Sequence, residues 1–333
     1  MSQFRKDPFG SAWVIISPER GLEASDFGSI RLEHSHSPLS PGNEAALGSE
    51  IRALRPAGSA KDSPDWRIRV VPYPSALLRR GEFELAGSTL FQYAPSIGYQ
   101  ELVIEHPEAT MMLESMPHEH LVELLKVYSE RLSYLASRAN VQHVQLTRSV
   151  GRAAGAMYAH PHGHLSALPV KHRWIEEELQ ASQSYYQQTQ RSLFADVIEA
   201  ELAQRDRVVR YSDHFVALSP FASKTPFETW ILPRQGNNAF SSTASNLLMD
   251  FADMLCDVIG AINSALDFPP YNLVLHSLPS ERNNHYYWHI KLLPQLTKQA
   301  GFDWASGLYI NPTPPEDAAR FLRQALLMRE VSS

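Results

Sequence analysis

Cysteine is almost absent: Cys256 is the only one in 333 residues, so no intramolecular disulfide can form and no thiolate metal site can be built. Long apolar runs are missing too. No stretch reaches 18 consecutive apolar residues, the usual mark of a membrane-crossing helix, and MSQFRKDPFGSAWVIISPERG lacks the unbroken apolar core of a secretory leader. No membrane partner is expected, and the expected compartment is the cytoplasm. Positive charge is not in excess. The 30 Lys and Arg face 36 Asp and Glu, a net charge of -6, and no segment concentrates basic residues as a phosphate-backbone binder requires. Nucleic acid is therefore not expected as a main partner. With 44% hydrophobic residues the chain can fill one large core or two fused ones. Histidine (14) and proline (23) stand out, and histidine titrates near neutral pH.

The pattern along the chain is α+β. AWVII (residues 12–16) reads as a short strand, and residues 33–65 have the Ser, Pro, Gly and His content of loop. DWRIRVVP and YQELVIEHP alternate as half-buried strands do. HEHLVELLKVYSERLSYLASRA places Leu121, Leu124, Leu125, Tyr128, Leu132 and Leu135 at helical spacing, and VQHVQLTRS returns as a strand. The second half repeats this order, with strands DHFVALSP and ETWILP, a helix from about Ala244 to Ala265, and strand YNLVLHS. An internal duplication of a strand, strand, helix, strand unit accounts for this, with a chance recurrence of common elements as the competing explanation. The expected modules are 1–190 and 191–333. HYYWHIKLLPQL reads as a further strand, and PPEDAARFLRQALLM as a closing helix whose prolines pre-set φ.

The densest chemical signal is the segment from Gly151 to Leu168, GRAAGAMYAHPHGHLSAL. On an extended segment His160, His162 and His164 would project from one face, so that the three rings converge on one ligand. Phosphorus suits them, since one neutral imidazole can attack while neighbouring rings and backbone N–H groups neutralise the oxyanion. Zinc ligation is the rival, and a merely structural histidine cluster is the third possibility. Gly151, Gly155 and the small residues between them would let backbone approach a nucleotide closely.

AGAMYAHPHGHL, together with the opening FRKDPFGSAWVIISPERG and the late YYWHIKLLPQL, resembles the galactose-1-phosphate uridylyltransferase branch of the histidine-triad superfamily over nearly the whole chain. The resemblance implies two fused triad-type modules, antiparallel sheets flanked by helices, of which only the first keeps a working His-Pro-His. It also implies a homodimer whose partner arms complete the site. His162 would be the nucleophile that takes a nucleoside monophosphate from a nucleotide sugar and passes it to a sugar phosphate or phosphate. The His160 carbonyl would orient its ring, His160 would occupy a structural metal-ligand position, and Arg20 would contact phosphate. Tyr73 would stack on the base, and Ser149 would replace an asparagine amide in part.

Several positions depart from the family pattern. His164 stands where these transferases carry Gln, and as a general acid it makes hydrolysis of nucleotide sugars, phosphoramidates or dinucleoside polyphosphates an alternative. Met157 replaces a phosphate-contacting Ser. The family's zinc ligands become Ser37, Ser40 and Ala109, the last in His106-Pro-Glu-Ala109, so no zinc is expected unless His34 and His36 rescue it. A second family metal site maps onto Glu178, His276, His289 and Lys291, and a protonated lysine cannot ligate. The residues around Trp304, Tyr309 and Asn311 do not match galactose handling. The expected activity is nucleotidyl transfer through a covalent histidine without a cofactor. A degenerate, non-catalytic nucleotide binder is the alternative outside the enzymes.

Overall fold

The computed structural model describes residues 2–6, 13–16, 37–74, 76–236, 238–278, 285–298 and 300–332. The chain divides into two units. The first comprises Met1–Thr110, Glu130–Leu146 and Tyr158–Gln180; the second comprises Met111–Ser129, Thr147–Met157 and Ala181–Ser333. No helix of the described residues is long and apolar enough to cross a membrane.

In chain order the first elements are β1 (Gln3–Lys6), β2 (Trp13–Ile16), β3 (Arg52–Leu54), β4 (Ile68–Pro72), β5 (Ala86–Gly87), β6 (Gln92–Pro95) and β7 (Tyr99–Ile104). Helix α1 (His118–Ala136), β8 (His143–Val150), β9 (His162–Leu168) and α2 (Arg173–Thr189) follow. The main sheet of the first unit runs β8, β9, β7, β4, β3, and a small sheet runs β2, β1, β6, β5. In the antiparallel ladders Ile104 faces His162, Leu102 faces His164, Arg69 faces Ile104 and Val71 faces Leu102. Directly opposed residues share a sheet face, so these six side chains line one surface.

That surface is covered by the connection 37–66. Its composition reads as loop, yet Leu39, Leu47 and Trp66 are buried against Val71, Leu102 and Ile104, with Tyr73 and Tyr158 at the margin. Burying a leucine side chain is worth about 1.5–3 kcal/mol, enough to fix a loop that has almost no ladder of its own. On the opposite face Glu101, opposed to Leu165, meets Arg131 from the last turns of α1.

The second unit holds α3 (Leu193–Gln204), β10 (Val208–Tyr211), β11 (Phe215–Leu218), β12 (Thr229–Pro233), α4 (Leu247–Leu266), β13 (Tyr271–His276), β14 (His289–Pro294), α5 (Gly301–Ser306) and α6 (Pro315–Ser332). Its strands run β13, β14, β12, β11, β10. This is the order β8, β9, β7, β4, β3 repeated strand for strand, with α4 in the chain position of α1, and it favours duplication over chance recurrence. Helix α4 buries a broad apolar face, with Leu248, Phe251, Leu255, Val258, Ile259 and Ile262 buried, and carries Asp250, Asp253 and Asp257 at helical spacing outside it. Trp288 is fully buried with Phe215, Phe240 and Phe251 around it.

Cys256 lies on α4, where burial, with Asp257 and Asp253 close by, pushes its thiol up to about 12. Only the thiolate is nucleophilic. Alkylation of the native chain at pH 7.5 should therefore run about a thousandfold slower than that of an ordinary thiol with a pKa near 8.5. The urea-unfolded chain should react at the ordinary rate.

Candidate active site

The site is built where β9 begins. Pro161 has no N–H to give the ladder, so regular pairing starts at His162, while Glu105 N–H donates to the Pro161 carbonyl at 3.1 Å. The His162 ring is buried, and its Nδ1 lies 2.7 Å from the carbonyl oxygen of His160. A carbonyl can only accept, so Nδ1 carries a proton, and in the neutral ring the in-plane lone pair is then on Nε2. That is the tautomer a nucleophilic imidazole needs.

His164, two residues on along the same face, has its ring 4.9 Å from that of His162 and 5.1 Å from that of Tyr73. Tyr158 meets the His162 ring edge-on at 5.6 Å. Burial, with Tyr73 nearby, raises the Tyr158 phenol above its ordinary value, so it remains a neutral O–H at physiological pH.

His160 departs from expectation. Lying before β9, it escapes the pleat alternation, and its ring does not converge with the other two. Its Nε2 donates to the His106 carbonyl at 2.6 Å, and Ser40 Oγ approaches Nδ1 at 3.5 Å. Burial lowers its pKa, outweighing the His106 carbonyl and the Glu105 charge, so the ring is neutral. It is the backbone carbonyl of His160, and not its ring, that meets His162.

The neighbourhood of His160 does not fit zinc. Ser40 stands beside the imidazole as the resemblance implies, but a serine hydroxyl is a poor zinc ligand. Ser37 Oγ accepts from Leu39 N–H at 3.2 Å, and Ala109 has no donor atom. His34 and His36 lie outside the described residues, as does Arg20.

Most of the other sequence-derived positions fall in the second unit. Ser149 Oγ donates to Asn272 Oδ1 at 2.7 Å. Gly151 (φ 76°) and Gly155 (φ 88°) flank the 3-10 turn Arg152–Ala154, and a Cβ on Gly151 would come within 3.0 Å of Pro270. Glycine is required at Gly151 on both counts. Met157 is half exposed. His276 and His289 oppose each other on β13 and β14, with rings stacked at 4.9 Å. Lys291 Nζ lies 4.3 Å from the centre of the Trp230 ring, a cation–π contact, and an ammonium cannot ligate a metal. Glu178 lies on α2, in the first unit. His289 Nδ1 is 3.0 Å from the Tyr287 carbonyl, the same bond that His162 makes at the start of the equivalent strand.

Sequence reasoning missed Tyr158, the His106 carbonyl and Arg69. Tyr158 carries a weak signal, an aromatic four residues before His162 in an otherwise small-residue run. The other two are set by non-local packing and have none.

Residues 178–316 match the family described as galactose-1-phosphate uridyl transferase, C-terminal domain. An ADP-glucose phosphorylase of Arabidopsis thaliana is 29% identical over 98% of this chain and 93% of its own. A galactose-1-phosphate uridylyltransferase of Thermotoga maritima is 25% identical over 70% of this chain and 76% of its own. Among solved structures, an Arabidopsis thaliana ADP-glucose phosphorylase with bound ADP-glucose matches with a TM-score of 0.75 at 27% identity, covering 97% of this chain and 99% of that one. These likenesses, over most of the chain, are to nucleotidyl-transfer enzymes. The chain is similar to the galactose-1-phosphate uridylyltransferase-like enzymes, the branch its motifs resemble.

Proposed function

We propose that the protein moves a nucleoside monophosphate from a nucleotide sugar to phosphate or to a sugar 1-phosphate, with His162 as the covalent carrier. His162 Nε2 attacks the α-phosphorus; a P–N bond forms, the P–O bond to the β-phosphate breaks, and hexose 1-phosphate departs. An acceptor phosphate oxygen then attacks the same phosphorus, and the P–N bond breaks. The observation that carries this reading is the 2.7 Å bond from His162 Nδ1 to the His160 carbonyl, which fixes the lone pair on Nε2. Arg20, Tyr73, Ser149, Gly151 and Gly155 are proposed substrate contacts, and no metal takes part.

Because a relative that matches nearly the whole chain is named an ADP-glucose phosphorylase, ADP-glucose with inorganic phosphate heads the donor and acceptor panel, followed by UDP-hexoses with hexose 1-phosphates. Intact mass after incubation with donor alone should rise by one nucleoside monophosphate and return to the starting value on adding acceptor. An unchanged mass and no turnover across the panel would overturn the reading.

Water as acceptor is the second reading, favoured by the His164 ring 4.9 Å from His162. His164→Gln is expected to keep transfer while lowering acceptor-independent donor loss about tenfold or more, read as the ratio of the two rates. A homodimer in the cytoplasm is part of the proposal. The exposed Leu90 and Phe91 between β5 and β6, and the exposed Trp304, Leu308 and Ile310 on and after α5, are apolar surfaces of the kind a partner covers.

A further inference from the structure

The connection 37–66 roofs the sheet face that carries His162, yet it contains only a 3-10 turn, Glu44–Leu47, and the three residues of β3. Irregular backbone keeps one shape only when its polar groups find partners. Here they converge on one side chain. Arg69 is 1% exposed and stands in the cross-strand row of Ile104 and His162. Its Nη2 donates to Asp62 Oδ1 at 2.9 Å and to the Gly48 and Glu44 carbonyls at 3.1 and 3.4 Å, and its Nε lies 3.6 Å from the Glu50 carboxylate. Arg55 binds that same carboxylate and donates to Ser63 Oγ at 2.7 Å. Asp62 also accepts from Glu50 N–H and Ser49 Oγ, both at 2.7 Å. Glu44 accepts from Gly42 N–H at 3.0 Å and from Trp66 Nε1 at 2.8 Å. The near end of the roof carries Ser40, which meets the His160 ring, and the His160 carbonyl holds His162.

We infer that Arg69 is a positioning residue for His162: with Glu50 and Asp62 it straps the connection 37–66 over the nucleophile, so that this roof needs no metal. The inference rests on the reading of His162 as nucleophile. A guanidinium suits the task because its planar fork reaches two carboxylates and two carbonyls at once, whereas an ammonium is a point charge.

The test uses the full-length wild type, Arg69→Met, Arg69→Lys and the milder Asp62→Asn. Metal per chain is measured, together with amide hydrogen exchange across 37–66 with and without EDTA. The rate of adduct formation on His162 and the KM for the donor are then determined. The wild type should hold no stoichiometric zinc, and EDTA should leave its exchange unchanged. Arg69→Met should speed exchange across 37–66 and slow adduct formation about 10- to 100-fold, as a misplaced nucleophile does, with little change in KM. Asp62→Asn should act in the same direction more weakly, and Arg69→Lys should restore part of the loss. One zinc per chain whose removal deprotects 37–66 would overturn the inference, as would loss of protection with an unchanged adduct rate. If the wild type forms no adduct, the functional reading fails by itself; metal content and exchange still decide whether the strap holds the roof.

Discussion

Replacing His162 by glycine is expected to abolish the nucleotidyl adduct and lower transfer by about 10⁴-fold or more, the scale seen when a covalent nucleophile is removed from a preorganised site. The size follows from what the site lacks as much as from what it holds. His164 is nearest by ring distance, but it lies farther along β9, and His160 is turned away with both ring nitrogens engaged. Neither can stand in at the same point in space. Donor affinity should change little, because the ring contributes its lone pair chiefly in the transition state. Intact mass reads the adduct, progress curves read transfer, and circular dichroism confirms the fold. Equal turnover by His162→Gly and wild type would exclude the covalent route. If the protein only binds nucleotide, His162→Asn would retain wild-type affinity and neither form would turn over.

The largest effect on stability is expected on the other face of the same sheet. Arg131 meets Glu101 with two parallel bonds, Nε to Oε2 at 2.9 Å and Nη2 to Oε1 at 2.6 Å, and both side chains are buried. The Arg131 guanidinium also lies 4.2 Å from the Tyr134 ring centre. Removing one partner strands a buried charge, at about 3–5 kcal/mol. Glu101→Ala or Arg131→Met should thus lower the urea midpoint steeply, with the slope m nearly unchanged. The double variant Glu101→Leu/Arg131→Met should recover most of the loss, since an apolar pair of similar volume leaves nothing stranded. If the double variant is as unstable as the singles combined, the two residues act independently and the argument fails.

The legible parts of the fold were those with strong periodicity. Strands β4, β7, β11, β12 and β13 and helices α1, α4 and α6 fall where alternation or helical spacing places them. Helix α2 went unread because RWIEEELQASQSYYQQT is polar on most of its surface, with Ile175 and Ser182 its fully buried side chains. Of the small sheet, β2 is legible as the apolar AWVII, whereas α3 and strands β1, β5 and β6 are not; two to four residues are too few to show a period. The connection 37–66 was misjudged in kind rather than place. Composition marks it as loop, but two leucines and a tryptophan make it part of the core.

At the site, the sequence named His162 and His164 and the supporting carbonyl. It put the His160 ring in the wrong place because a proline between two histidines breaks the alternation on which convergence relied. Arg69 was invisible, since its partners lie 7 to 25 residues away in a segment without periodicity.

Among the described residues, the bond from imidazole to the carbonyl two residues upstream is made at His162 and again at His289. Its recurrence on equivalent strands means that an oriented histidine belongs to the repeated architecture. What separates the two rings is the neighbour two residues further on, a second imidazole at His164 and an ammonium at Lys291. After a duplication, a change at that one position is enough to put a fixed charge in place of a second imidazole beside an already aimed ring.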